Sequence, residues 1–164
     1  MKSVTMAIAL FLSSLSGHAV GANPPEVDAR AAIQQYADGW NRMSGAEFAK
    51  PFHEKAHFVN IFGMHFTGKA GTAKRHQKIF DTFLKGTEFV VEDIKLDRIN
   101  DFVMVAHVVW NLKGFQTDHC LKNPQENSLK CPRRGIFNHV LVPKESQAGG
   151  WVIVETQNTL IAKK

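Results

Sequence analysis

The sequence predicts an α+β fold in which helices pack on one face of a curved antiparallel sheet. Three observations carry this reading. Helical patterns fall before residue 87, four long extended stretches follow it, and no internal repeat or low-complexity segment interrupts either half. The 164 residues, 44% of them hydrophobic, suit one domain with a single core.

The first 22 residues are unlike the rest. Lys2 is followed by an apolar run from Val4 to Leu15 and then by the small residues of "SSLSGHAVGA". That is the layout of a secretory signal peptide over residues 1–22, cleaved after Ala19 or Ala22. The apolar run falls short of the ~20 residues that a membrane-spanning helix needs. The expectation is a domain over residues 23–164, periplasmic or secreted, with no membrane attachment after cleavage.

After the turn-like "NPPE", residues Val27 to Arg42 read as a helix. Ala31, Ala32, Tyr36 and Trp40 recur at helical spacing, and Glu26 and Asp28 lie at its positive end. "MSGAEFAKPF" reads as a break and a short second helix, with Pro51 at its end. "AHFVNIFG" alternates as a strand, and Gly63-Met64 turns into a second strand, "HFTG". "GTAKRHQKIFDTFLKG" reads as a third helix, with Thr72 as N-cap and Gly86 past its end. Strands follow at Glu88 to Asn100, Phe102 to Phe115, Gly135 to Pro143 and Trp151 to Ala162, with "SQAGG" turning between the last two.

Cys120 and Cys131 are eleven positions apart in a polar loop, "HCLKNPQENSLKC". In an oxidising compartment such a pair closes a disulfide; a metal site with His119 fits the spacing less well. The net charge of +5 comes from scattered Lys and Arg. Only "KCPRR" and "AKK" are dense, and neither alternates with aromatic residues as a base-stacking surface would, so no nucleic-acid partner is expected.

Five stretches in order, "YADGWN", "FHEKAHFVNIFG", "FTGKAGTAKRHQKIFD", "DFVMVAHVVWNLKG" and "GWVIVETQNT", resemble the SnoaL-like, nuclear transport factor 2-like superfamily. Within it they are most similar to the SgcJ/EcaC-type group and only distantly similar to ketosteroid isomerase. The resemblance implies a strongly bent antiparallel sheet that forms a cone around three helices from the N-terminal half. It also implies an apolar pocket in the cone and a homodimer through the outer sheet face. Functions on this fold range from isomerases, cyclases and dehydratases to small-ligand binders and interaction domains, so the pocket has to decide.

Ketosteroid-isomerase relatives carry an aspartate base three residues before the turn glycine. Counting back from Gly63 gives Asn60, an amide that cannot take up a proton. Those relatives also place a tyrosine five residues before an asparagine on the first helix, as Tyr36 precedes Asn41 here; the alternative for Tyr36 is a core aromatic. A second acid, just before a histidine on a late strand, becomes Asn138 before His139. An amide donor there can imitate a protonated acid.

His76, on the pocket side of the third helix by resemblance, is the acid/base candidate; the alternative is a half-exposed helix histidine beside Arg75. His107 alternates with Val105 and Val109, which leaves its face open. His57 and His65 share strand parity, but with His53, Glu54 and Asp81 they form no metal-binding spacing, so neither a metal nor an organic cofactor is expected. No G-x-S-x-G, phosphate-binding loop or G-x-G-x-x-G occurs.

The leading expectation is an exported, dimeric protein that holds a small apolar or aromatic molecule in its cone. Tyr36, Trp40, Asn60, Phe62, His76, Asn138 and Gln157 would contact the ligand. One alternative is an isomerase, cyclase or dehydratase with His76 as acid/base and Tyr36 assisting. The other is a dimeric protein-interaction domain.

Overall fold

In the computed structural model, which describes residues 25–145 and 150–162, helix α1 runs over Pro25–Asn41. Its buried positions, Ala29, Ala32, Ile33, Tyr36, Ala37 and Trp40, recur every three to four residues and form one apolar stripe. Glu26 and Asp28 sit in its first turn, where the helix dipole favours them. The expected signal peptide and most of the "SQAGG" turn lie outside the described residues.

Helix α2, Gly45–Ala49, starts at Ser44, whose hydroxyl accepts the Glu47 N–H. It lies so close to α1 that a Cβ on Gly39 would collide with the Phe48 backbone, so only glycine fits there. Pro51 follows directly and the chain turns into β1, Phe52–Val59, then a tight turn and β2, His65–Thr67. Helix α3, Gly68–Phe80, begins three residues before the expected "GTAKRH" start. Thr72 is therefore not an N-cap. It lies fully buried inside the helix, and its hydroxyl has no hydrogen-bond partner.

The rest is sheet: β3 over Glu88–Arg98, β4 over Met104–Lys113, β5 over Arg134–Pro143 and β6 over Trp151–Leu160. A short helix, α4 over Asp118–Lys122, interrupts the loop between β4 and β5. The strand order is β2-β1-β6-β5-β4-β3. All pairings are antiparallel except one. β1 runs parallel to β6, because these strands meet from distant parts of the chain and not through a hairpin.

Strict alternation on β4 sends Met104, Ala106, Val108, Trp110 and Leu112 inward; on β5 it sends in Gly135, Phe137, His139 and Leu141. Register shifts near Val91/Asp93 and Val140/Leu141 mark bulges, which bend the strands and wrap the sheet into an open cone. The helices fill its concave side, and an aromatic core of Tyr36, Phe48, Phe52, Phe58, Phe80, Phe89 and Phe137 occupies the space between. Cys120 and Cys131 form a disulfide that closes the loop bearing α4.

Candidate functional site

The cone is not filled to its rim. An apolar cavity of about 50 Å³ remains near the end of β1, inside a hollow that holds about 540 Å³ when its open mouth is included. The cavity's volume is smaller than the ~150 Å³ of the engineered core cavity that accepts benzene. A ligand larger than a few waters therefore extends into the mouth.

Each wall follows from a local pattern. Trp40 is the last buried position of α1, and its indole N–H donates to Thr87 Oγ1 at 3.1 Å. Asn41 clamps the backbone of Phe89, accepting its N–H at 2.7 Å and donating to its carbonyl at 3.0 Å. Trp110 lies across Gly135 on the neighbouring strand, where any Cβ would strike the indole. Phe58 and Phe137 add inward faces, and Ile79 and Phe83 close the helix side.

Four polar side chains reach this cavity: Asn60, Arg75, His76 and Asn158. His76 is 4% exposed and stacks on Phe48, with ring centroids 3.8 Å apart. Its Nδ1 lies 2.8 Å from the Thr72 carbonyl, which can only accept, so Nδ1 carries the proton and donates. Nε2 is left as a lone-pair acceptor with no partner among the described residues. Burial first, then the Arg75 charge, opposes protonation, while the Thr72 hydrogen bond favours it. The net result is a pKa of about 4 and a neutral ring at pH 7.

Asn60 is committed on one side. Its Oδ1 accepts the N–H groups of Phe62 and Met64, both at 3.0 Å, which fixes the turn between β1 and β2. Phe62, on that turn, forms part of the mouth and is 44% exposed. Asn158 Oδ1 accepts the Trp110 indole N–H at 3.0 Å. Arg75 lies over the Phe66 ring, 5.6 Å from its centroid, and has no carboxylate partner among the described residues.

Of the residues expected at the pocket, Trp40, Asn60, Phe62 and His76 line the cavity together; Tyr36, Asn138 and Gln157 do not. Tyr36 is fully buried on the far side of Phe48, which lies between it and His76. Its hydroxyl is 3.3 Å from His139 Nε2, and His139 Nδ1 is 2.8 Å from Thr156 Oγ1. Desolvation raises the Tyr36 pKa well above that of a free phenol and lowers that of His139 to about 3. Both stay neutral inside a closed polar chain.

Asn138 is corrected by strand parity. Phe137 and His139 point inward, so Asn138 faces out, where its Oδ1 accepts from His107 Nδ1. His107 is thereby placed on the outer face as well. Gln157 pairs with Val59 and Asn138 and is exposed on that face. His57 and His65 do meet, with Nδ1 and Nε2 2.8 Å apart, but they are exposed on the outside of the sheet. His119, Glu126 and Cys131 also cluster, yet the Cys131 sulfur is bonded to Cys120 and offers no thiolate.

The sequence reading missed Arg75 and Asn158. Asn158 is one residue from the expected Gln157. On β6 three consecutive residues, Trp151, Val152 and Ile153, are buried, so the inward parity cannot be read by counting from the start. A wider cleft beside the disulfide loop is a weaker candidate. It lacks aromatic walls, and its Asn127 is spent on the backbones of Arg133, Arg134 and Ile161.

No family model matches the chain. No curated protein matches it in sequence. Solved structures do match. A domain of unknown function with a cystatin-like fold from Nostoc punctiforme aligns with a TM-score of 0.72 and 28% identity, over 87% of this chain and 81% of that one. A second cystatin-like protein, from Caulobacter vibrioides, gives 0.65 and 21% over 84% and 90%. An NTF-2-like protein from Shewanella oneidensis gives 0.59 and 16% over 83% and 99%. The chain has the cystatin-like, nuclear transport factor 2-like cone fold.

Proposed function

We propose that this cone domain binds a small apolar or aromatic molecule in its mouth, and that it is a SnoaL-like protein of the SgcJ/EcaC-type group. The observation that carries the reading is an open cavity, walled by Trp40, Phe58, Phe89, Trp110 and Phe137, with polar groups at a few fixed points. Export after loss of residues 1–22 fits the Cys120–Cys131 disulfide. Dimerisation through the outer sheet face fits its half-buried Val105, Val109, Ile136 and Val140.

Trp40 and Trp110 line the cavity and Trp151 does not, so intrinsic fluorescence tests the reading. Titration with cinnamyl alcohol, a slim aromatic probe, should give a saturable change. Trp151→Phe should keep that change, and the double variant Trp40→Phe/Trp110→Phe should lose it. A non-saturating response of the wild-type protein to cinnamyl alcohol and to its carboxylate counterpart, trans-cinnamate, alike would remove the binding function.

An enzyme of the isomerase, cyclase or dehydratase kind has one observation in its favour, the free Nε2 of His76 at the cavity. A pKa near 4 makes that nitrogen a weak base at neutral pH, and Tyr36 is shut off behind Phe48. Binding is the better-supported role. For an interaction domain, the most exposed large apolar side chains among the described residues are Ile99 and Phe102 near the β3–β4 turn, Leu121 and Leu129 in the disulfide loop, and Val27 on α1, with Phe62 and Met64 on the β1–β2 turn less so; they form scattered pairs and not one broad patch.

A further inference from the structure

Hydrogen-bonding capacity left over at the cavity identifies the chemistry of an occupant. Asn60 Oδ1 is used twice by backbone N–H groups and Asn158 Oδ1 by an indole N–H, so on both of these lining residues the Nδ2–H groups are left over as donors. Their orientation is forced, because each bonded partner can only donate. Arg75 adds a guanidinium with no carboxylate to neutralise it. It is the only Lys or Arg on the lining, and no Asp or Glu is there among the described residues.

Topology groups these donors. β1 and β6 run parallel with Phe58 beside Thr156 and Val59 beside Gln157, so Asn60 and Asn158 follow one step later at the same end of the pair. Arg75 reaches that end from α3 by lying over Phe66, which pairs with Phe58. Against these three donors, His76 Nε2 is the one lining side-chain acceptor atom with no hydrogen bond of its own among the described residues.

Given the binding role above, we infer that the cavity takes a slim apolar or aromatic carboxylate, its head held by Arg75, Asn60 and Asn158. A single guanidinium balances a single negative charge, and its planar fork matches a carboxylate. A phosphate dianion would lack a second cation. The His76 lone pair repels the carboxylate and sets the orientation: head to the Arg75 side, and any hydroxyl or ring N–H of the ligand's body toward Nε2.

The test compares trans-cinnamate with cinnamyl alcohol, nearly isosteric and differing in charge, by calorimetry on the purified chain with its disulfide intact. The acid should bind the wild-type protein at least about tenfold more tightly, as a charge-assisted hydrogen bond would give. Arg75→Gln should bring the two within about twofold. Raising salt from about 0.05 M to about 0.5 M should weaken cinnamate and leave the alcohol unchanged. That arm uses wild-type protein, so it decides the matter even if the variant fails to fold. Equal affinities for acid and alcohol would overturn the carboxylate inference and leave the pocket standing. If neither probe binds, the pocket reading falls too.

Discussion

His76 and His139 are both buried, both neutral and both set among the rings of one aromatic core. His139 belongs to the closed inner part of the cone. One of its nitrogens meets Thr156, the other meets Tyr36, and Phe137 lies against its face. His76 belongs to the mouth. One nitrogen meets the Thr72 carbonyl, and the other has no partner and faces a cavity. Burial and a depressed pKa mark both residues, so neither property locates the site. What separates them is the hydrogen-bonding group left over. In the closed half every polar atom of the chain is answered, which is how a core histidine is accommodated. In the mouth the same side chain is left incomplete, together with Arg75 and two asparagine amides.

The contrast makes an unequal pair of substitutions. His139→Leu strands the Tyr36 and Thr156 hydroxyls in a dry core, at about 1–3 kcal/mol for each unsatisfied group, so a loss of roughly 2–6 kcal/mol is expected. His76→Leu removes one hydrogen bond. The Thr72 carbonyl keeps its helical partner, and the new side chain still covers Phe48, so the loss should stay near ~1 kcal/mol. Urea denaturation of both variants at pH 8 measures the difference. Equal losses would mean that the mouth is as closed as the interior.

Acid should act on the two histidines together. Their folded-state pKa values are about 4 and about 3, against ~6.5 for an unfolded histidine. Between these limits the unfolded chain binds more protons, so stability rises with pH there. It is complete above pH ~6.5 and is lost as pH falls toward ~4 and then ~3. Each histidine contributes about 1.4 kcal/mol per pH unit inside its window, so the wild-type slope near pH 5 should be roughly twice that. Either leucine variant should lose about half of it. His139→Leu should lose at least as much as His76→Leu, because nothing from solvent reaches the closed histidine to ease its protonation. A flat profile between pH 7 and pH 5 would contradict the neutral burial of both.

Much of the fold was legible because its elements carry strong periodic signals. The α1 stripe and the β4 and β5 alternation are local patterns, and a cysteine pair in one loop needs no distant information. The parallel β1–β6 pairing and α4 were missed, the first because it depends on where distant strands meet. Of the expected contacts, those that line the cavity are Trp40, read from the α1 stripe, Phe62, and His76 and Asn60, placed by resemblance on α3 and three residues before the turn glycine. The errors were shifts of one position. Asn138 stands beside the inward His139 and Gln157 beside the inward Asn158, and in a strand one step reverses the face. On β5 the alternation with Phe137 would have settled it. On β6 the irregular burial of residues 151–153 hid the parity. Tyr36 failed for a different reason. Its helical face was right, but depth along the cone is set by how far Phe48 reaches from α2, and no periodicity encodes that.

The smallest expected effect tests the mouth from outside. Phe62 is 44% exposed, and the backbone of its turn is fixed by Asn60 Oδ1, not by the phenyl ring. Phe62→Ala should therefore change stability by no more than ~0.5 kcal/mol, the range for surface substitutions that touch no special feature. The same ring forms one wall of the cavity, so cinnamyl alcohol should bind a few-fold less tightly to the variant. A change that spares folding and weakens the probe is the signature of a wall that exists for something other than the core. Were Phe62→Ala to cost as much stability as His139→Leu, the ring would be holding the fold together, and the mouth would differ from the closed half only in being wetter.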